Sequence, residues 1–263
     1  TLMMLEDTGY FNASLYSAFG IGGVETLGWE LGHQFIEKYG RHPDTVVVAN
    51  AGGGNLTGTA RGLHKAGCNP KIIAASVDLS GLHMASDKAF NRKSFTTAHT
   101  GFGVPHSSKP DSCDLPRSAA RPLRYMDRYV SVTQGETFYI TEALATLEGM
   151  EKGPAGNTSL TAAFYLAQEM PEDQIIVAQE TEYTGAGKNG IELKFGDPKD
   201  EIPGTNIIFP ARPELLKARD LDLEHIRRSY IKHTVGTYPI DKLSDVDLKF
   251  LADETNTDLA FVK

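Results

Sequence analysis

Three consecutive glycines, Gly52-Gly53-Gly54, followed by Asn55, stand between the apolar run Thr45-Val46-Val47-Val48-Ala49 and a segment of helical spacing that opens at Leu56. That order predicts a strand, a glycine loop and a helix. Glycines in such a loop reach backbone conformations closed to other residues and let a ligand approach main-chain N–H groups. The helix behind them offers unpaired N–H donors and the positive end of its dipole. Together these make an anion cradle, most often for phosphate, with a ligand-free turn as the alternative.

Two nucleotide readings of the loop fail at a residue that carries chemistry. The fingerprint G-x-G-x-x-G, with glycines at 52 and 54, needs a third glycine where Thr57 stands. A P-loop running from Gly53 to Gly58 needs a lysine where Thr59 stands.

Other reactive side chains are less organised. Arg117, Arg121 and Arg124 fall at helical spacing and could meet a phosphate or carboxylate. Pro116 and Pro122 interrupt that helix, however, and a solvated basic edge is the plainer reading. His99 and His106 flank a glycine-containing turn and could line a pocket or simply be exposed, while His33 reads as structural within a helix. Cys68 and Cys113 have no metal-ligand spacing, so no metal site is expected and a reducing compartment, the cytoplasm, is. A bystander thiol at Cys113 is favoured over a nucleophile.

The elements that must position these groups alternate along the chain. Helical spacing covers Val24 to Tyr39, then come a strand at Thr45–Ala49, a helix to about Lys65 and a strand at Lys71–Val77. Strand, helix and strand at these lengths imply a parallel sheet with right-handed crossovers. Residues 79–128 are irregular; Tyr129–Val132 and Gln174–Gln179 supply further strands with helices between them. Asn157, Thr158 or Ser159 could cap the helix that continues through Leu160–Leu166. From about 201 the chain turns to proline-punctuated loops and polar helices, Leu223–Lys232 and Ser244–Asp253, the second opening on Ser-x-x-Asp. The expected fold is α/β, a mostly parallel twisted sheet with helices on both faces. Residues 1–200 form the α/β domain and 201–263 an extension of loops and helices.

Length and charge narrow the function. A chain of 263 residues can bury a sizeable core, and 40% hydrophobic with 23% charged residues is ordinary for a globular enzyme domain. The net charge of −8 argues against nucleic-acid or anionic-membrane partners. No apolar run approaches the roughly 20 residues of a membrane span.

Gly20-Ile21-Gly22-Gly23-Val24-Glu25-Thr26-Leu27-Gly28-Trp29-Glu30, followed by the run from Val46 through Gly58, resembles the fold-type-II pyridoxal-phosphate enzymes. Threonine synthase, cysteine synthase, threonine dehydratase and the tryptophan synthase β chain belong to that family. The resemblance implies that the main-chain N–H groups of Gly52, Gly53, Gly54 and Asn55 hold the phosphate of pyridoxal 5′-phosphate. About 130 residues on, Thr184-Gly185-Ala186-Gly187 matches the family's [ST]-G-x-G element. By that match the Thr184 hydroxyl would hydrogen-bond the pyridine nitrogen without forcing its protonation. Read alone, Thr184-Gly185 is an ordinary turn. A weaker echo is Glu148-Gly149 and the small residues Gly153 to Ser159, which in the relatives open a helix beneath the cofactor; helix capping is the preferred reading there.

The resemblance also implies something the chain lacks. The Schiff-base lysine of these enzymes lies well ahead of the Gly/Asn loop, and here only Lys38 precedes it, at the end of a helical segment and in no matching motif. The expectation is therefore a C-terminal part of a longer enzyme, or a separate half, with that lysine upstream of Thr1 and no catalytic residue assigned within it. Thr97–Pro110, Pro154–Ser159 and the tail from 210 to 235 resemble the thiolase β-subunit branch of the family. That branch implies cleavage of 2-amino-4-ketopentanoate with coenzyme A to acetyl-CoA and alanine, in ornithine fermentation. It also implies a smaller α subunit as partner and a homodimer of β subunits. A lyase or synthase of the threonine synthase or cysteine synthase type shares every cofactor residue. A non-catalytic phosphate- or nucleotide-binding subunit is the alternative of another class.

Overall fold

The computed structural model describes residues 6–11, 18–50, 53–77, 121–132, 134–153, 155–180, 201–202, 207–208, 219–225, 227–228 and 243–263. Within β1 (Thr45–Ala49), Val46, Val47 and Val48 are all completely buried. Successive strand side chains point to opposite faces, so burial of all three needs an apolar layer on each side. β1 pairs in parallel with β2 (Lys71–Val77) and with β4 (Ile176–Gln179), and β2 pairs in parallel with β3 (Arg128–Val132). Glu201–Ile202 (β5) and Ile207–Ile208 (β6) form a separate antiparallel pair, while Arg219–Asp220 (β7) adds antiparallel to β3. The sheet order is β4-β1-β2-β3-β7.

Helices cover both faces, as the sequence predicts. Val46, Val48, Ile72, Ala74 and Tyr129 share one core with Leu56, Ala60 and Leu63 of α2 (Gly54–Lys65). Val47, Ile73, Ala75, Val130 and Val132 share the other with Ala162, Ala163 and Leu166 of α4 (Asn157–Ala167). Between β3 and α4 runs α3 (Gln134–Glu148). The helices after 240 are not merely polar: α5 (Asp245–Thr255) and α6 (Leu259–Val262) add Leu248, Leu251, Ala252 and Val262 to the first core. Ser244 and Asp247 form the reciprocal cap that their spacing predicts. Of the predicted helix Leu223–Lys232, residues 223–225 and 227–228 are helical, and the remainder lies outside the described residues.

The leading helix α1 (Ala18–Tyr39) starts six residues before Val24, because Ile21 extends its buried face of Gly28, Gly32 and Phe35. It meets α2 through glycines. A Cβ on Gly28 would lie 2.1 Å from the Thr59 carbonyl oxygen, and one on Gly62 would lie 2.0 Å from that of Glu25. Two backbones in direct contact leave α2 little freedom, and its N-terminus is thereby placed at the carboxyl end of β1.

Candidate active site

The carboxyl ends of β1, β2 and β4 share one edge of the sheet, the edge where open α/β folds bind ligands. Here β1 runs into Asn50 and the glycine loop. Gly53, the N-cap of α2, adopts φ +81°, a left-handed conformation that glycine takes without steric cost. A Cβ at this position would sit 2.2 Å from Pro122 Cγ. The proline that interrupts a helix in the sequence thus forms the wall against which the loop is pressed, inside a short 3-10 turn (Arg121–Arg124).

The first intrahelical bond of α2 runs from the Thr57 N–H to the Gly53 carbonyl at 2.9 Å. The N–H groups of Gly54, Asn55 and Leu56 precede it, and no side chain caps the helix. A phosphate monoester fits this start: the donors converge, the dipole favours a dianion, and the missing Cβ at Gly53 leaves the backbone open to approach. Of the residues expected to hold the phosphate, Gly53, Gly54 and Asn55 stand at this helix start. Gly52 and Thr184 lie outside the described residues.

The sequence reading missed the polar groups around that start. Gln179, the last residue of β4, is buried. Its Oε1 accepts from the Thr59 hydroxyl at 2.9 Å, its Nε2 donates to Asn55 Oδ1 at 3.0 Å, and its carbonyl accepts from the Ser159 hydroxyl at 2.7 Å. The neighbouring Glu180 faces α4. With its nitrogen turned toward that carboxylate, the Asn157 amide lies 3.2 Å from each oxygen, while its own oxygen accepts from Thr141 at 3.0 Å. The visible signal was a polar Gln-Glu pair closing the apolar run Ile175-Ile176-Val177-Ala178, but its partners were not readable. Capping by Asn157, Thr158 or Ser159 is corrected: Gly156 is the N-cap, and the three residues sit inside the first turn facing β4 and the core.

Beneath the loop, Asn50 Nδ2 donates to the Tyr129 hydroxyl at 3.3 Å, and Ser76 Oγ lies 2.8 Å from the same hydroxyl while bonding the Asn50 carbonyl. Asn50 Oδ1 and Thr57 Oγ1 are buried without a partner among the described residues. Burial pushes the Tyr129 phenol above its ordinary value, outweighing the opposite pull of its bonds to Ser76 and Asn50. The raised value means that stability is fully present below the unfolded phenol value, about 10, and falls as pH rises beyond it. Tyr129→Phe is expected to be less stable at neutral pH, with the gap to wild type narrowing above about pH 10. Urea midpoints across that range check this; a constant gap would show that Tyr129 does not titrate differently on unfolding.

Of the other candidates, Arg121 and Arg124 lie in the short turn rather than on a regular helix, and His33 rests on Trp29 with ring centroids 4.2 Å apart. Lys38 ends α1 near the start of β1, the edge of the sheet away from the glycine loop. Cys68 is buried, its sulfur 2.8 Å from His42 Nδ1. Arg117, His99, His106 and Cys113 lie outside the described residues. No group of three or more metal-ligating side chains occurs among the described residues, and no described helix is long and apolar enough to cross a membrane.

Comparison with known proteins agrees with this geometry. The chain is 63% identical over 273 aligned positions to the 2-amino-4-ketopentanoate thiolase beta subunit of Acetoanaerobium sticklandii. A protein of the same name from an unidentified prokaryote is 58% identical over 274. Both alignments cover all of this chain and 58% of the relative, so the chain spans just under three fifths of their length. A hydrogen sulfide-producing enzyme of known structure shares the fold, with a TM-score of 0.53 at 16% identity, over 76% of this chain and 56% of that one. The family model described as "Pyridoxal-phosphate dependent enzyme" matches residues 2–181, more than half of the sequence. With a glycine loop and an uncapped helix start at the carboxyl edge of the parallel strands and that match across them, the chain belongs to the pyridoxal-phosphate-dependent enzyme family.

Proposed function

We propose that this chain is part of a thiolase β subunit that splits 2-amino-4-ketopentanoate with coenzyme A into acetyl-CoA and alanine. The observation that carries the reading is 63% identity along the whole chain to a thiolase beta subunit. In this reaction the coenzyme A sulfur bonds to C4 and the C3–C4 bond breaks. Its electron pair goes to C3, which takes up a proton to become the methyl group of alanine. Pyridoxal phosphate supplies an electron sink for the carbanion character beside the amino-bearing carbon.

The chain's own residues bind and orient. The N–H groups of Gly52, Gly53, Gly54 and Asn55 hold the phosphate, supported by the open start of α2. Gln179 and Glu180, tied to Ser159 and Asn157, fix where β4 ends and so where the segment carrying Thr184 departs. The lysine that carries the cofactor belongs to a segment outside these residues. In this reading residues 1–200 form the cofactor domain and 201–263 an extension of it. The partners are a smaller α subunit and a second β subunit, in the cytoplasm.

The test is made on the full-length subunit with its partner. Acetyl-CoA and alanine should form together, dependent on coenzyme A and on pyridoxal phosphate. Elimination or β-replacement on hydroxy- or thio-amino acids, with no thiolysis, would give the site to a lyase or synthase. A site that answers ATP or NAD but not pyridoxal phosphate would make the subunit non-catalytic.

Thr184→Ala is expected to keep its cofactor, which the phosphate retains, and to lose turnover. A hydrogen bond of this kind is worth about 0.5–1.5 kcal/mol, hence up to about tenfold. Steady-state kinetics measure it, and unchanged turnover would return Thr184 to an ordinary turn.

A further inference from the structure

We propose that Ser76 and Tyr129 are positioning residues for the glycine loop, holding the Asn50 carbonyl on β2 so that it does not turn to the anion at the start of α2. The inference rests on the phosphate cradle proposed above and adds what fixes the point where the loop departs. Asn50 follows β1 directly. Its N–H bonds the Ala75 carbonyl at 2.7 Å, just beyond the last ladder pair, Ala49 with Ala75.

A carbonyl oxygen carries no hydrogen, so the Ser76 hydroxyl donates to that of Asn50. Ser76 has a single hydrogen, and it is spent there. The 2.8 Å contact between Ser76 Oγ and the Tyr129 hydroxyl therefore takes its hydrogen from the phenol. With that hydrogen given, the phenol oxygen can only accept, and the 3.3 Å contact with Asn50 takes its hydrogen from Nδ2. Turning the amide would set its oxygen against a phenol oxygen with no hydrogen left to share. The contacts close a ring, Asn50 to Tyr129 to Ser76 and back to Asn50. Its direction is fixed at the carbonyl, an acceptor that cannot reverse.

All three residues are at most 2% exposed, so water does not compete for these groups. Swinging the Asn50 carbonyl off the ring would strand the buried Ser76 hydroxyl. An anion cradle presents N–H groups, and a carbonyl turned into it would set its negative end against the ligand. The ring keeps that oxygen engaged.

The test is made on the full-length subunit with two probes, pyridoxal phosphate and pyridoxal, which lacks the phosphate. Ser76→Ala should weaken pyridoxal phosphate roughly threefold to tenfold, the usual effect of losing one neutral hydrogen bond, and change affinity for pyridoxal little. Tyr129→Phe removes one oxygen and leaves Ser76 bonded to the carbonyl, so its loss should be smaller. The double variant should lose little more than Ser76→Ala alone, because the phenol acts on the carbonyl through Ser76. Ser76→Thr and Ser76→Val share one shape and differ in the hydroxyl. Ser76→Thr should bind pyridoxal phosphate the more tightly, which gives a second route if Ser76→Ala folds poorly. Thermal unfolding of each apo variant separates loss of affinity from loss of fold.

Full affinity in Ser76→Ala, additive losses with Tyr129→Phe, equal losses for the two probes, or equal binding by Ser76→Thr and Ser76→Val would overturn the positioning role while leaving the cofactor site intact. A wild-type subunit that binds no pyridoxal phosphate would instead remove the cradle on which the inference rests.

Discussion

Gly53→Val in the full-length protein loses most of its pyridoxal phosphate and melts at a lower temperature than wild type. Two costs add at this position. The backbone sits at φ +81°, where an L residue is strained by about 1–2 kcal/mol and a β-branched one by more. The new Cβ would also start 2.2 Å from Cγ of Pro122, a buried ring that cannot swing aside. The loop must move, and with it the N–H groups of Gly54, Asn55 and Leu56. Losing one hydrogen bond to a charged phosphate oxygen costs about 1.5–3 kcal/mol, so affinity falls at least roughly tenfold. Titration of the apoprotein with the cofactor, beside thermal unfolding without it, measures both effects. Normal affinity in this variant would mean that the phosphate is held elsewhere.

Gly62→Ala is expected to be among the most destabilising single changes in the chain. Its Cβ would lie 2.0 Å from the Glu25 carbonyl oxygen and 2.6 Å from the Trp29 nitrogen, both backbone atoms of α1. No rotamer relieves such a contact, so the two helices must separate, at a cost of about 3 kcal/mol or more. Gly28→Ala presses from the other side, on the Thr59 carbonyl, and should behave alike. Gly22→Ala is the contrast: it is helical, meets nothing within 4 Å and should stabilise by up to about 1 kcal/mol. Urea midpoints distinguish them, and equal effects at Gly22 and Gly62 would show that the helices are not in backbone contact. Since α1 carries α2, separation should also loosen the cradle.

Local chemistry carried much of the sequence reading. β1 stands where the β-branched run predicts it and β2 where the largely apolar Lys71–Val77 does, because strands covered on both faces read as near-continuous apolar runs. The Ser244 cap is equally local, a bond between residues three apart. Boundaries fared less well where tertiary contacts decide them. The start of α1 depends on Ile21 finding a buried place, and β4 opens at Ile176 after Gln174 is used in a turn to Pro171. The capping role expected of Asn157, Thr158 and Ser159 failed for the same reason: the Asn157 amide and the Ser159 hydroxyl bond to α3 and β4, and Thr158 is buried, which no local pattern reveals.

By itself the sequence determined the alternating α/β order, the glycine loop between β1 and α2, and the kinship with pyridoxal-phosphate enzymes. Each is written in short-range features: periodicity, turn-forming glycines, and motifs in a fixed order. Only the tertiary structure decided that Pro122 walls Gly53, that Gly28 and Gly62 bring two helices into backbone contact, and that Gln179 joins Thr59 to Asn55. Those contacts link residues up to 124 positions apart. A buried amide is satisfied by whatever the fold brings beside it, and a glycine is needed only where another backbone arrives. Both conditions come into existence when the sheet closes.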